Sequence, residues 1–341
     1  MRILVTGDRG YIGSVLVPLL IKHKYDVVGL DSGFFEENLI QNVPTPKYKK
    51  ITRDIRKVEL SDLKGFDAII HLCALSNDPM GEIDPKLTEE INYKASIRLA
   101  KLAKKAGIKR FLFSSSCSIY GIAKNAIVNE NSKVSPLTAY AKSKIDTEQK
   151  LLKLADSDFC LGVMRSSTVY GFSPRFRNDL VVNNLVTTAL AFGEIRIMSD
   201  GTPWRPVIDV RDLSRIFIEF LTVDSKKING KIINIGFNEN NFQVKDIVSI
   251  VQKNIPNRKV IYTGEHGKDT RSYKVSFDRF ESLFPQVKQE WTLEKSVKDM
   301  VKNLKKIGFG KKEFESGKFS RLTMLKGLMN ENKIDSQLFW I

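Results

Sequence analysis

Arg2-Ile-Leu-Val-Thr6, then Gly7-Asp-Arg-Gly10-Tyr11-Ile12-Gly13, then Ser14-Val-Leu-Val-Pro-Leu-Leu-Ile21 is the stretch that decides the fold. The first five residues read as a short buried strand, the glycine-spaced segment as a tight turn, and the apolar periodic run as a helix. That order brings backbone N–H groups to a helix N-terminus, where a pyrophosphate binds. The next strand-like run, Asp26-Val-Val-Gly-Leu30, ends at Asp31. A carboxylate there accepts hydrogen bonds from an adenosine ribose and repels a 2′-phosphate, which favours NAD over NADP. Arg9, inside the turn, keeps NADP open as the alternative.

Working outward, short β-like runs alternate with helical stretches as far as Arg165, which implies an α/β fold with a doubly wound parallel (Rossmann) sheet. Asp67 to Leu72 is a strand and Ala74 opens the loop after it; Thr88 to Ala106 is a long helix carrying Asn92. Lys109 to Ser114 is the next strand and runs into Ser114-Ser-Ser116; Thr138 to Leu154 is a helix, and Phe159 to Arg165 a sixth strand. The expected division is an NAD-binding domain over 1–170, rejoined by 205–235, and a smaller α/β substrate-binding lobe from 171–204 and 236–341. The stretch from Gly308 is basic and poorly patterned and reads as a docking tail or a dimer element.

The chemistry rests on Tyr140-Ala-Lys-Ser-Lys144. Residues four apart share a helix face, so the Lys144 ammonium is expected beside the Tyr140 phenol, favouring the phenolate and lowering its pKa. Such a phenol takes a proton from an alcohol or returns it. The candidate residues of the first half fall at C-terminal ends of strands, where open α/β sheets place ligands.

Composition bounds the remainder. A chain of 341 residues exceeds what one core organises, so a second lobe is expected. No apolar run is long enough to span a bilayer, and the N-terminus reads as a strand and not a signal peptide. Cys73, Cys117 and Cys160 lack metal-like spacing and point to a reducing cytoplasm; no metal site is expected, His23 and His266 lacking partners and His71 reading as a core histidine. The net charge of +16 comes from lysines spread along the chain without interleaved aromatics, so no nucleic-acid partner and no membrane partner are expected.

These segments together resemble the extended short-chain dehydrogenase/reductases of the nucleotide-sugar epimerase/dehydratase family, over Met1 to roughly Val301. The resemblance is carried by Thr6-Gly7-x-x-Gly10-Tyr-Ile-Gly13, Asp31, Asp54-Ile55, Ser114-Ser-Ser116-x-Ser-Ile-Tyr120-Gly121, Tyr140-x-x-x-Lys144, Arg205-Pro-Val-Ile-Asp-Val-Arg-Asp212 and Arg271-Ser-Tyr273. It implies that Tyr140 is the acid/base, that Ser116 bonds the sugar hydroxyl, and that Lys144 holds the nicotinamide ribose. It further implies cofactor contacts from Gly7, Gly10, Tyr11, Ile12, Gly13 and Asp31, from Asp54 and Ile55 at the adenine, and from Leu72, Ala74, Asn92 and Ser114. A nucleotide-diphosphate sugar would meet Ser76, Ser118, Thr168, Asn184, Arg205 and Arg271, and a homodimer is implied. Members that remove water carry an acidic pair after the catalytic Ser/Thr; Cys117 and Ser118 stand there, so the resemblance points to an epimerase acting through a transient keto sugar. A 4-dehydrogenase or ketoreductase remains the alternative, and a non-catalytic dinucleotide-binding protein a third reading. Thr168 and Asp209 depart from the asparagine and histidine common in 4-epimerases, and Arg175 and Arg177 are expected as solvent-facing arginines.

Overall fold

Seven parallel strands form the central sheet: β1 (Arg2–Thr6), β2 (Asp26–Asp31), β3 (Lys49–Thr52), β4 (Ala68–His71), β5 (Arg110–Ser116), β6 (Cys160–Ser166) and β7 (Lys231–Ile235). Their spatial order is β7-β6-β5-β4-β1-β2-β3, so the chain reverses direction across the sheet between β1 and β4. Ligands of such sheets bind outside the strand carboxyl ends at that reversal. The computed structural model describes residues 1–40, 43, 45–81, 83–262 and 271–341; His266 lies outside them.

The strands are apolar on both faces because helices cover both. On one face Ile3, Val5 and Val27 pack against α1 (Gly13–Lys22), and the alternating Leu4, Val28 and Leu30 pack on the other against α2 (Ala95–Lys105), with α3 (Ala139–Leu152) alongside. Leu16, Val17 and Leu20 supply the buried stripe of α1, and Leu99, Ala100 and Ala103 that of α2, each at helical spacing. A further core joins α4 (Val181–Phe192), α6 (Val244–Asn254) and α7 (Leu293–Lys306) through Val186, Ile247 and Met300, while α5 (Val210–Thr222) returns to the sheet through Leu213, Ile216 and Phe217.

The basic C-terminal stretch is structured. Its last helix, α8 (Arg321–Asn330), and the residues after it place Leu325, Ile334 and Leu338 in the same core as Leu4, Val28 and Ile55. The stretch therefore bridges two cores, since Phe309 and Phe319 before this helix pack with Val186, Ile247 and Met300. Apolar side chains spaced irregularly among lysines conceal that contact in the sequence. Among the described residues no helix is long and apolar enough to cross a membrane, and no cluster of His, Cys, Asp or Glu could hold a metal.

Candidate active site

The glycine turn is built by close approach. Gly7 has φ +78°, and a Cβ there would lie 2.9 Å from the Cys73 nitrogen; one on Gly13 would lie 2.3 Å from the Gly7 carbonyl oxygen. Only bare backbone fits, which leaves the start of α1 open to an anion as a dinucleotide pyrophosphate requires. Asp31 ends β2 beside it, its carboxylate accepting from the backbone N–H of Gly33 (2.8 Å) and of Arg9 (3.3 Å). The Arg9 guanidinium is committed to Glu36 (2.5 Å), the Asp31 carbonyl (2.7 Å) and the Thr52 hydroxyl (3.1 Å). It braces the turn against β2 and β3, and Glu36 balances its charge, so it supports NAD at this end and not a 2′-phosphate. Tyr11 spends its hydroxyl on the Gly171 carbonyl (2.6 Å) and thereby pins the turn to the lobe.

Asp8 within the turn is buried. Its carboxylate fills the space above Gly29, where an ideal Cβ would stand 2.1 Å from Oδ2, and accepts from the Tyr48 hydroxyl at 2.7 Å. Burial first, and then Asp31, push its pKa up to about 6. The neutral acid thus contributes stability that is fully present below the ordinary carboxyl pKa of 3.8 and is lost as pH rises through about 6. At about 1.4 kcal/mol per pKa unit the loss is about 3 kcal/mol. Asp8→Asn in cofactor-free protein is expected to exceed wild type in urea-unfolding free energy by about 2–3 kcal/mol at pH 8 and to match it near pH 4. A gap equal at both pH values would show that the carboxyl does not titrate in this range.

Helix α3 is capped by Thr138, whose hydroxyl accepts from the Ala141 N–H (3.1 Å) and donates to Asp78 (2.5 Å). Tyr140 and Lys144 follow on one face and meet the end of β5. Lys144 is buried, with Nζ 5.7 Å from the Tyr140 ring centroid and 4.8 Å from that of Phe113, and donates to the Ser114 carbonyl at 2.7 Å. Tyr140 is hydrogen-bonded to Ser116, and the Ser116 hydroxyl donates to that of Ser118 at 2.9 Å. The geometry expected from the Tyr/Lys spacing is present, whereas the expected electrostatics are not. Burial and the Asp78 carboxylate push the Tyr140 pKa up to about 12 in the cofactor-free protein, against the opposing pull of Ser116, Arg177 and Arg271. Burial also brings Lys144 down to about 8, so this lysine holds less charge near neutrality than the sequence argument assumed.

The residues expected to meet a nucleotide sugar come from several elements. Ser76, in the loop after β4, accepts from Arg177 (3.1 Å), which is paired with Asp179 (2.8 Å). Asp78 is also paired with Arg271 (2.8 Å), and Arg205 donates to the Arg271 carbonyl and to that of Trp204. Asn184 reaches the Asn178 carbonyl (3.0 Å) from the first turn of α4, and Thr168 stands on a short strand beside Val207. Arg175 and Arg177 are both buried, contrary to the solvent-facing reading: Arg175 clamps Glu36 (2.9 Å) and the Phe35 and Glu36 carbonyls. Neighbouring carboxylates and carbonyls cover the cost of burying these guanidinium groups.

Asn92 sits in a π-helical turn, Glu89–Lys94, and fixes the Leu75 backbone through its carbonyl oxygen (2.8 Å) and amide (3.1 Å) while also donating to Ser143 on α3 (3.2 Å). It positions the loop holding Ala74 and Ser76. Leu72 and Ala74 flank that loop at the carboxyl end of β4. The Asp54 carboxylate is held by the Arg56 guanidinium (2.9 and 2.6 Å), and the Ile55 side chain is buried in the core. Cys117 is a packed thiol that donates to the Arg165 carbonyl (3.2 Å), with its pKa raised by burial. His71 is bonded through both ring nitrogens, to Thr6 (2.6 Å) and Ser96 (2.7 Å), and burial lowers its pKa to about 3.

Sequence reading missed Asp78, the Arg177–Asp179 pair and Glu148. Glu148 stands one helical turn beyond Lys144 on the same face and pairs, fully buried, with Arg165 (2.7 Å) while accepting from Ser115. Its i+4 spacing from Lys144 was the available signal.

Comparison with known proteins agrees with this layout. The sequence profile of the NAD dependent epimerase/dehydratase family matches residues 3–236. A Bacillus subtilis (strain 168) protein described as an uncharacterized UDP-glucose epimerase, YtcB, is 30% identical over 266 residues, 74% of this chain and 81% of its own. A putative UDP-glucose 4-epimerase of Methanocaldococcus jannaschii is 27% identical over 89% of this chain and 98% of that one. Among solved structures, the UDP-glucuronic acid 4-epimerase from Bacillus cereus, in complex with UDP-glucuronic acid and NAD, aligns with a TM-score of 0.76 at 25% identity, covering 90% of this chain and 100% of the other.

Proposed function

This chain belongs to the NAD dependent epimerase/dehydratase family, and we propose that within it the protein is an NAD-dependent nucleotide-sugar epimerase acting on a ring hydroxyl, with C4 as the carbon and a UDP-sugar as the substrate class. The observation that carries this reading is the meeting of Ser116, Tyr140 and Lys144 at the carboxyl end of β5, the same end of the sheet at which the glycine turn follows β1. NAD, held by the glycine turn and Asp31, would supply the hydride acceptor and donor that epimerisation through a keto sugar requires. Tyr140 takes the hydroxyl proton, Ser116 orients that hydroxyl and passes hydrogen bonding on to Ser118, and Lys144 is braced to hold the nicotinamide ribose. Arg205 and Arg271, on the far wall, suit the nucleotide diphosphate. Cys117, a buried thiol beside Ser116, offers no carboxylate for eliminating water, which supports epimerase over dehydratase.

The test begins with protein purified without added cofactor, denatured, and assayed for released NAD. Intact protein is then incubated with UDP-hexoses and UDP-hexuronates and followed by proton NMR. Interconversion of C4 epimers without growth of NADH absorbance is the expected result. Accumulation of a keto sugar with stoichiometric NADH would replace the epimerase by a net dehydrogenase.

A further inference from the structure

The adenosine end of the cofactor cleft has a wall that the family profile, which stops at residue 236, does not reach. A dinucleotide whose pyrophosphate lies at the glycine turn and whose ribose meets Asp31 must extend outward over the loops that follow β2 and β3. The end of the chain grips both loops. Trp340 Nε1 donates to the Ser32 carbonyl at 2.7 Å, and its ring lies 5.6 Å from that of Phe34, both after β2. The Phe339 ring covers the Arg56 guanidinium, 3.7 Å from its carbon, after β3, and that guanidinium is the one holding Asp54.

This end is anchored. Ile334 and Leu338 are buried in the nucleotide-side core, and the Asp335 carboxylate accepts from the N–H groups of Gln337 (2.9 Å) and Phe339 (2.8 Å). Leu338 adopts φ +58°, a conformation that a branched residue resists, and so turns Phe339 and Trp340 back onto the loops. Trp340 nevertheless stays 47% exposed. It borders a cleft of about 800 Å³ lined by Arg9, Ser32, Gly33 and Thr52 on one side and by Met324 and Leu328 of α8 on the other. A half-open indole beside such a cleft is a platform for a nucleobase.

We propose that Phe339 and Trp340 form the outer wall of the adenosine subsite and hold the dinucleotide in the protein, a role that rests on the NAD reading above. Wild type and Trp340→Ala, both full length and stripped of cofactor, are compared for binding of NAD, ADP-ribose and nicotinamide mononucleotide, and for the dissociation rate of NAD. Base stacking on an aromatic ring is worth roughly 5- to 150-fold in affinity, so the variant should lose on the order of 10-fold or more for NAD and ADP-ribose, with faster NAD release. Nicotinamide mononucleotide, which lacks the adenosine, should bind both proteins equally and so reports an intact fold. Trp340→Phe, which keeps a ring but loses the N–H, should recover most of the lost affinity and show that the tail still packs. NAD and ADP-ribose affinities within twofold of wild type in Trp340→Ala would overturn the proposal and leave the NAD reading standing. Equal losses for all three ligands would also overturn it, by placing the effect in the fold. A wild type that binds none of the three would end both.

Discussion

Tyr140→Phe is expected to lower kcat by about 10²–10⁴-fold, the range of a lost general acid/base, while leaving bound NAD and the nucleotide-sugar KM nearly unchanged. The phenol oxygen is the only atom removed, and the ring keeps its packing beside Lys144. The pH dependence carries further information. A base works in its deprotonated form, and burial with Asp78 holds the Tyr140 pKa far above neutrality in the cofactor-free protein. Wild-type kcat should therefore climb as pH rises from about 6 toward 9, whereas the residual rate of the Phe variant should be flat. Single-turnover kinetics across that range is the measurement. A loss below tenfold would transfer the proton to the Ser116–Ser118 hydroxyl pair and strip Tyr140 of its role.

Glu148→Ala should be the most damaging substitution for stability, costing about 3–5 kcal/mol because it leaves the Arg165 guanidinium buried without its counter-charge. Glu148 accepts three contacts from Arg165 at 2.7–3.2 Å, and Arg165 also donates to the Tyr120 hydroxyl at 3.0 Å. The same carboxylate accepts from Ser115, which lies between Ser114 and Ser116, so the pair fixes the strand end that holds Lys144 and carries the Ser116 hydroxyl. Chemical denaturation is the readout. The double variant Glu148→Ala with Arg165→Met should recover a large part of the loss, since removing both charges is often neutral or stabilising. A double variant as unstable as Glu148→Ala alone would locate the damage in lost volume and not in the stranded charge.

The legible parts of this protein were the local ones. Strand, glycine turn and helix lie within the first 22 residues, and Tyr140 and Lys144 share one helix face, so spacing alone places them. Asp78 and Arg177, the latter paired with Asp179, act on Tyr140 from separate segments, and no period in the sequence records that meeting. The direction of the Tyr140 shift failed for a related reason. Spacing puts a lysine near a tyrosine, but burial and a carboxylate arriving from another loop set the charge balance. Arg175 and Arg177 read as solvent-facing because their partners are a carboxylate 139 positions away for one and an adjacent aspartate for the other, and only the first separation is invisible in sequence. For Arg177 the nearby Asp179 was the overlooked cue.

The contact between Ser32 and Trp340 spans 308 positions. Translation delivers the first partner early and the second 308 positions later, and at about 5–20 residues per second the interval is about 15–60 s. A nascent chain can assemble the glycine turn and the first strands during that time, before the segment proposed to wall the adenosine cleft has been made. On the proposed role of Trp340, cofactor retention thereby waits on the synthesis of this late segment: a chain lacking it would keep Tyr140 and Lys144 on an intact helix and hold its dinucleotide poorly.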